Sequence, residues 1–368
     1  MSIACASEQL ESVALFRHFP RLRTRVPWVV LGQWPTPVQP MCGHPDVFVK
    51  REDISSHIYG GNKVRTLEAH IGRAVAHGAR RIWATGAFGS NHSVATVLHA
   101  ATAGLETGIA LFPQPASAPA HQNLLATLSA TPAIAPTPDV TLLPLVMGKL
   151  ALDSRRHRAL DYVMGPGGAT PNGALGHVSA ALELAEQVNA GALPAPSRVV
   201  LAVGSTCTTA GILVGLAIAQ RLGVLPPIKV TAVRVTPWPV TSRSRIAYLA
   251  HRTGRELAVE IGPIADIPYL QLRAALTVDR RYFGGGYGKP TASGRRAIEL
   301  MRTAGGPPLD VVYSAKSGAA LFDLARERND LPLLFWATKS SVPLPAATPA
   351  QLHRATRQMK RWLERAPL

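Results

Sequence analysis

Residues 47–68, VFVKREDISSHIYGGNKVRTLE, are the stretch that decides the fold. The apolar run at 47–49 predicts a short strand, and Val64, Leu67 and Ile71 then recur at helical spacing. Lys63 therefore stands where a loop enters a helix, just after two glycines. An amine held there can reach into a cleft, where burial lowers its pKa and leaves it free to form a Schiff base with a carbonyl. The alternative interpretation is an ordinary solvated lysine near a helix start.

The composition of the chain is that of a globular protein. It has 368 residues, of which 47% are hydrophobic and 17% charged, enough for one large or two medium domains with substantial cores. The N-terminus carries acidic residues and lacks a basic start followed by an apolar run, so we expect no signal peptide. Residues 199–220 are uncharged and mostly apolar, but their GSTCTT interruption favours a buried strand, loop and helix over a membrane span.

Cysteine content and charge narrow the class of protein further. Cys5, Cys42 and Cys207 are too few and too scattered for a disulfide framework or a metal cage, so we expect reduced thiols and a cytoplasmic protein. The formal net charge of +17 raises the possibility of nucleic-acid binding. However, the arginines are spread along the whole chain without interleaved aromatic residues. Attraction for anionic substrates, or plain surface charge, is the better interpretation, and we expect neither a nucleic-acid nor a membrane partner.

Beyond Lys63, strand and helix patterns alternate, which indicates largely parallel sheets covered on both faces and hence an α/β fold. The predicted strands are 81–85, 107–112, 140–145, 162–164, 198–203, 228–235, 311–313 and 333–336. The predicted helices include 67–77, a helix capped by Ser90, 174–190, 210–222, 242–258, 291–304, 318–328 and 349–365. A glycine-rich join at 165–176 marks the second crossing between two lobes. We therefore predict a large cofactor-binding domain of residues 1–65 and 174–368, and a small domain of residues 66–173.

The segment 199–222 carries a second chemical signal. An apolar strand delivers a Gly/Ser/Thr loop to the start of a long helix, and this geometry points several backbone N–H groups at one spot, which suits a phosphate. Hydroxyl donors in the loop can add to it. The pattern is neither a Walker motif nor the dinucleotide-binding Gly-x-Gly-x-x-Gly, and a plain turn is the alternative.

A Schiff-base lysine combined with a phosphate cup matches what pyridoxal 5′-phosphate needs from a protein. The run from Pro35 through KREDISSHIYGGNKVRTLE resembles the N-terminal signature of the 1-aminocyclopropane-1-carboxylate deaminase and D-cysteine desulfhydrase family. That family belongs to the tryptophan-synthase-β-like, fold-type II pyridoxal enzymes. Further matching motifs follow in order, and together they cover most of residues 35 to 340: GAFGSNHSVAT, PGGATPNGALGHVSAALEL, AVGSTCTTAG, GGGYGKPTASG and DVVYSAKSG.

The resemblance implies roles for the matched residues. Lys63 would carry the cofactor and move the substrate's proton, and Asn91 would hydrogen-bond the ring hydroxyl of the cofactor and help to bind substrate. Ser90, also a candidate catalytic residue, and His92 would hold the substrate carboxylate. The remaining implied contacts are Gly204, Ser205, Thr206, Cys207 and Thr208 around the phosphate, Tyr287 and Tyr313 as catalytic groups flanking the substrate, and Ser314 and Thr338 near the pyridine nitrogen.

Other features qualify these roles. Beside a cationic Schiff base, the two phenols are expected to ionise more easily than their usual pKa of about 10. A tyrosine is also a common half-buried core residue, and a Ser-Asn-His triplet is often only a helix cap. We predict that His99 packs inside the protein. His70 and His77 have no third metal-ligating residue beside them in the sequence, so we predict structural roles for them and no metal site.

The chain departs from the pattern of the family at several positions. Thr206 and Cys207 stand where two glycines are usual, His177 replaces a tyrosine, and Lys339 lies in a run where the family commonly has His-Thr-Gly-Gly. Ser314 cannot act as a carboxylate partner of the ring nitrogen, where cyclopropane-opening deaminases carry an acid. A weaker electron sink favours rapid loss of a β leaving group, which is the desulfhydrase side of the family.

The resemblance thus implies a pyridoxal-phosphate-dependent lyase acting by α,β-elimination on a small amino acid, with keto acid and ammonia as products. The alternatives are cyclopropane ring opening, β-replacement, racemisation on a divergent substrate of secondary metabolism, and a non-catalytic cofactor-binding protein. The family also implies a homodimer.

Overall fold

A computed structural model describes residues 9–156, 160–328 and 330–365. Its larger sheet has the strand order β1-β2-β10-β7-β8-β9, and its pairs are parallel except for the antiparallel β1–β2 pair. The bounds are β1 Val38–Met41, β2 His44–Lys50, β7 Arg198–Val203, β8 Lys229–Arg234, β9 Leu276–Asp279 and β10 Leu333–Trp336. After Arg198, every residue of β7 is buried and apolar, as expected for a strand covered on both faces.

A second, smaller sheet is entirely parallel and has the order β5-β4-β3-β6. Its strands are β3 Arg81–Ala87, β4 Glu106–Phe112, β5 Ala133–Ile134 and β6 Asp161–Val163. Two mostly parallel sheets confirm the predicted α/β class, because parallel neighbours require crossover connections that place helices on the faces.

The helices cover these sheets. Their bounds are α1 Ala14–His18, α2 Lys63–Ala76, α3 Asn91–Thr102, α4 Ala118–Ser129, α5 Leu143–Arg156, α6 Pro171–Asn189, α7 Cys207–Arg221, α8 Arg243–Ile261, α9 Tyr269–Ala275, α10 Ala292–Thr303, α11 Ser314–Glu327, α12 Pro349–His353 and α13 Arg357–Leu363. Helix α6 packs against both α2 and α7. Within the described ranges, no helix combines the length and apolar character that a membrane span needs.

Two predicted strands are wrong. Residues 140–145 form the 3₁₀ turn Val140–Leu142 and the start of α5, since Asp139 accepts a hydrogen bond from the Thr141 N–H and caps the turn. Residues 311–313 are a turn in which the Asp310 carboxylate accepts from the backbone N–H groups of residues 312–314. In both cases an aspartate competes successfully with strand pairing for the local backbone groups.

The N-terminal arm packs on helix α6, and the C-terminal helices pack beside the small sheet. The N-terminal arm contains the five-residue helix α1 and the 3₁₀ helix Pro20–Thr24, and the Leu15 N–H donates to Ser179 Oγ on α6. The predicted C-terminal helix is split in two, and Met359 and Trp362 of α13 are buried in a core cluster with Phe88 and Leu124, beside the small sheet. The division into residues 1–65 plus 174–368 and 66–173 stays a prediction, and this packing favours assigning α12 and α13 to the small lobe.

Candidate functional site

A cavity of about 590 Å³ lies where strands of both sheets end. Its wall includes Thr85–Ala87 at the end of β3, Phe112 at the end of β4, Val203 at the end of β7 and Thr338 just after β10. In α/β proteins the carboxyl ends of parallel strands are where ligands bind, because the connecting loops there are free to vary. The cavity is therefore the candidate active site.

Lys63 is the first residue of α2 and reaches into this cavity. The loop before it runs against the segment after β10: Gly61 has a φ of +89°, a Cβ there would lie 2.7 Å from the Thr338 carbonyl oxygen, and the Asn62 N–H donates to that oxygen at 3.1 Å. Only glycine fits this conformation and this contact. Lys63 Nζ donates to Ser205 Oγ at 3.1 Å, and burial lowers the pKa of the Lys63 amine, an effect that Cys207 opposes.

The predicted phosphate loop connects β7 to α7. Thr206 has a left-handed backbone with a φ of +71°, which is strained for a β-branched residue. Helix α7 begins at Cys207, so the first backbone N–H groups of the helix face the loop. The Cys207 thiol donates to the Gly168 carbonyl at 3.4 Å, and Cys207 is not among the residues that line the cavity. Thr209 Oγ1 is buried without a hydrogen-bond partner among the described residues, and Thr209 lines the cavity.

Thr208 is held from behind. Its Oγ1 accepts a hydrogen bond from Asn62 Nδ2 at 2.7 Å and lies 3.3 Å from His177 Nε2. His177, which replaces a tyrosine of the family pattern, also contacts Thr66 Oγ1 at 3.0 Å, and burial lowers the pKa of its imidazole well below the usual value. The neutral ring thus supports the hydroxyl of Thr208 from the protein side.

The Ser-Asn-His triplet stands at the start of α3, as predicted. Ser90 Oγ accepts from the Ser93 N–H and caps the helix. Asn91 Oδ1 accepts from Tyr59 Oη at 3.0 Å and from Asn123 Nδ2 at 2.8 Å, which leaves the amide NH₂ of Asn91 to face the cavity.

His92 is a buried imidazole with two unused ring nitrogens. Neither nitrogen has a hydrogen-bond partner in the part of the chain that the structure describes, and the residue lines the cavity. Burial, together with the positive charge of Lys63 and the neighbouring His70, lowers the pKa of His92 well below its usual value. The ring is therefore neutral, with one donor and one acceptor available to a ligand.

Tyr287 and Tyr313 meet across the cavity wall and share a hydrogen bond between their hydroxyl groups. Tyr287 Oη also lies 3.5 Å from Gln114 Oε1. Burial raises the pKa of both phenols, that of Tyr313 well above its usual value. Desolvation favours the neutral phenol in this cavity, so the pair is suited to donate protons. Easier ionisation beside a cationic Schiff base stays a prediction.

The two residues predicted near the pyridine nitrogen differ in position. Thr338 lines the cavity, whereas Ser314 is buried and does not; its hydroxyl donates to Asp310 Oδ2 at 2.7 Å. A role for Ser314 at the ring stays a prediction. Lys339 also lines the cavity, with Nζ 3.5 Å from Tyr59 Oη.

The histidines predicted to be structural contact protein groups. His70 lies 3.0 Å from the Gly168 carbonyl and 2.9 Å from Tyr162 Oη, and His99 lies 2.8 Å from the Tyr59 carbonyl. His77 contacts the Arg73 carbonyl at 2.7 Å. Of the three cysteines, Cys5 lies outside the described residues, and Cys42 and Cys207 are free thiols.

The structure thus brings eleven of the thirteen predicted residues to one cavity wall: Lys63, Ser90, Asn91, His92, Gly204, Ser205, Thr206, Thr208, Tyr287, Tyr313 and Thr338. Sequence reasoning missed Asn62, Tyr59, Asn123 and Gln114, which hold these groups. For Asn62 the signal was available, since it adjoins Lys63. The others reach the site through contacts between distant segments, and no local pattern marks them.

The residues present fit pyridoxal phosphate. Lys63 offers an amine with a lowered pKa, the α7 N-terminus offers N–H groups beside the unpartnered Thr209 hydroxyl, and Asn91 offers an amide donor. An amine for the aldehyde and a cup for the phosphate in one cavity define a pyridoxal-phosphate enzyme.

Comparison with known proteins supports the same cofactor. The family model described as pyridoxal-phosphate dependent enzyme matches residues 29–332, and the chain belongs to this family. It is 36% identical to nocardicin C-9′ epimerase of Nocardia uniformis subsp. tsuyamanensis over 86% of this chain and 93% of that protein. It is 33% identical to D-cysteine desulfhydrase of Klebsiella pneumoniae (strain 342) over 89% of this chain and 98% of that protein.

Among solved structures, the chain is similar to one described as an ACC deaminase homologue. The TM-score is 0.69 and the sequence identity 28%, with 89% of this chain and 94% of that chain covered. These findings confirm the predicted cofactor, the fold-type II class and the predicted lyase or deaminase character of the enzyme.

Proposed function

We propose that the protein catalyses α,β-elimination on an amino acid, which releases a keto acid, ammonia and a β leaving group. One observation carries this proposal: the Lys63 amine, with its lowered pKa, shares a cavity with Ser90, Asn91 and His92 at the start of α3. The cavity thus combines a proton acceptor with a site that can bind a carboxylate.

Different residues of the chain bind the substrate and transfer its proton. Pyridoxal phosphate, when bound, supplies the electron-withdrawing group that acidifies the α-carbon. The α3 N-terminus, the Ser90 hydroxyl and the neutral His92 ring bind the substrate carboxylate, since unpaired N–H groups and the helix dipole favour an anion there. Lys63 takes the proton from the α-carbon, and the Asn91 amide would donate to the ring oxygen of the cofactor.

The remaining residues bind the cofactor or protonate the leaving group. Residues 204–208, with Thr209, would hold the phosphate through backbone N–H groups and hydroxyls, and Thr338 would lie near the ring nitrogen. The neutral Tyr287–Tyr313 pair donates a proton to the leaving group as its bond to the β-carbon breaks. The amino acid and one water together give the keto acid, ammonia and the protonated leaving group.

Epimerisation at the α-carbon is the second candidate. The relative at 36% identity is an epimerase, and the tyrosine pair provides a second proton carrier in the cavity besides Lys63. Both reactions begin with removal of the same proton. They differ in whether the proton returns to the α-carbon from the other side or a bond to the β-carbon breaks.

A panel of D- and L-amino acids in ²H₂O separates the two reactions. Elimination gives keto acid and ammonia from substrates with a β leaving group. Epimerisation instead returns the amino acid with deuterium at the α-carbon and inverted configuration. The Lys63→Ala variant is the control, because it should show neither. If no amino acid of either configuration gives product or exchange, the proposed function is wrong.

We further propose a cytoplasmic homodimer. Support for the location comes from the free thiols Cys42 and Cys207. Support for assembly comes from Tyr248, Val259 and Leu270, which expose large apolar side chains on the adjacent helices α8 and α9. Light scattering of the purified protein should give twice the mass of the 39.1 kDa chain.

A further inference from the structure

We infer that the substrate is an amino acid with a long, mainly apolar side chain that ends in an anionic group bound by Arg245. The inference rests on the proposed function only in placing the α-carbon at Lys63. Its basis is a part of the same cavity that is not needed to bind the cofactor or a three-carbon amino acid. We call this part the outer wall, formed by Val140, Leu143, Val235, Pro237 and Val240.

The outer wall comes from two segments that face the cavity from opposite lobes. Val140 and Leu143 belong to the 3₁₀ turn and to the start of α5, and the other three residues follow β8. The second segment is tied to the phosphate loop, because Thr236 Oγ1 donates to the Gly204 carbonyl at 2.9 Å. The half of the outer wall that follows β8 therefore continues directly from the phosphate loop.

Partial exposure of this wall indicates that a ligand covers it. Leu143 and Val235 are buried, whereas Val140 is 51% exposed and Val240 is 39% exposed. On the same two segments, Leu145 and Trp238 do not line the cavity and are each 71% exposed. Apolar groups clustered at a cavity mouth mark a ligand-binding surface. A short side chain, such as that of cysteine, would leave these groups in water.

The positive charge of Arg245 indicates which group ends the substrate's side chain. Arg245 lines the cavity, and its guanidinium has neither an ion pair nor a hydrogen bond to any residue that the structure describes. Two residues earlier, Arg243 is satisfied by the Arg273 carbonyl. No aspartate or glutamate is among the described residues that line the cavity. A free guanidinium beside apolar groups suits a terminal carboxylate, which it can bind through two parallel hydrogen bonds.

Arg245 could instead serve either of two roles that have different consequences. If Arg245 binds the cofactor phosphate, its removal weakens cofactor binding for every substrate. If it is only a solvated surface group, its removal changes nothing. As a substrate-binding group, it affects acidic side chains alone.

The test measures binding of amino acids by the shift of the cofactor's visible band in the holoenzyme. The probes are 2-aminobutyrate, norleucine, 2-aminosuberate and the side-chain monoamide of 2-aminosuberate. The wild type should bind norleucine more tightly than 2-aminobutyrate, and 2-aminosuberate about tenfold more tightly than its monoamide, the low end for a charge-assisted hydrogen bond because Arg245 is exposed. Val240→Ser should weaken norleucine binding and leave 2-aminobutyrate unchanged.

Arg245→Gln should remove the preference for 2-aminosuberate and leave norleucine and cofactor affinity unchanged. The matched control is Arg255→Gln, an exposed arginine on the same helix that does not line the cavity. The inference would be overturned if Arg245→Gln kept the preference for 2-aminosuberate, or if the wild type bound the acid and its monoamide equally. It would also be overturned if Arg245→Gln lost affinity for the cofactor. If 2-aminobutyrate shifts the band but longer side chains bind no better, this inference alone is wrong. If no amino acid shifts it, the proposed function falls as well.

Discussion

Lys63 and Arg65 lie two residues apart on helix α2, and their surroundings are opposite. The Arg65 guanidinium donates to Glu52 at 2.7 Å and to Glu183 at 3.0 Å, and it stacks on Trp34 with 3.7 Å to the ring centroid. Lys63 faces the cavity, and the one described hydrogen-bond partner of its amine is the hydroxyl of Ser205. One helix thus directs one cation into the packed interior and another into the candidate active site.

The pKa values of the two cations follow from this difference. Burial acts to lower the pKa of Arg65, but the carboxylates of Glu183 and Glu52 outweigh it and raise the pKa. Burial also lowers the pKa of Lys63, and no carboxylate offsets it. A buried cation with its partners is part of the structure, whereas one without them is available for chemistry.

The largest expected effect is the loss of activity in Lys63→Ala. Because Lys63 both holds the cofactor and carries the proton, turnover should fall by about 10⁴-fold or more, beyond the range of acid–base assistance alone. The visible band of the bound cofactor should disappear, while thermal unfolding of the cofactor-free protein should stay close to that of the wild type. A large fall in its stability would show that Lys63 is structural, like Arg65.

Glu183→Gln should instead lower the stability of the fold. Glu183 accepts from Arg65 and Lys50 in the interior, and removing one partner of a buried ion pair costs about 3–5 kcal/mol because the remaining charges are uncompensated. Urea unfolding measures this loss. The control is Glu186→Gln on the same helix, whose pair with Arg17 is partly exposed and should be worth about 0–1 kcal/mol. Equal losses in the two variants would contradict the structural role of the buried cluster.

The tyrosine pair should have an intermediate effect on catalysis. Tyr287→Phe and Tyr313→Phe should keep the visible band of the cofactor, and at least one of them should lower kcat by about 10²-fold, the low end for general acid catalysis. Steady-state kinetics of both variants checks this. If both are fully active, Lys63 is the sole proton carrier and the rings only pack.

Glu68 supplies a smaller, pH-dependent test on the same helix. Burial raises its pKa to about 7, against opposing hydrogen bonds from the Leu31 N–H and Trp34 Nε1, so Glu68, like Lys63, shifts toward its neutral form. The folded protein then holds this proton more tightly than the unfolded chain, and raising the pH from 4.5 to 7 favours unfolding. Relative to Glu68→Gln, the free energy of unfolding of the wild type should fall by about 2–3 kcal/mol across this range. Urea unfolding at several pH values measures it, and a flat difference would show that Glu68 is ionised.

Several elements of this arrangement were readable in the sequence. The strand predicted at 198–203 has the bounds of β7, and the Ser90 cap and the GGNK entry to α2 lie where expected. These features have strong local causes: a continuous apolar run, a capping hydroxyl and a glycine with positive φ.

Other elements depend on distant contacts. Strands β1 and β9 have four residues each and lie at the two edges of the large sheet, so neither carries a long apolar pattern, and β1 contains Pro40. The partners of Asn91 lie 32 residues away on either side, at Tyr59 and Asn123. The raised pKa of the tyrosines comes from burial, which no local motif reveals.

The most direct test of the central claim is to reduce the holoenzyme with borohydride and map the lysine that retains the cofactor. Lys339 is the informative competitor, since it also lines the cavity. We predict that the label is found on Lys63 in the wild type, and that Lys339→Gln leaves the extent of labelling unchanged. Label on Lys339, or on any lysine other than Lys63, would contradict the account.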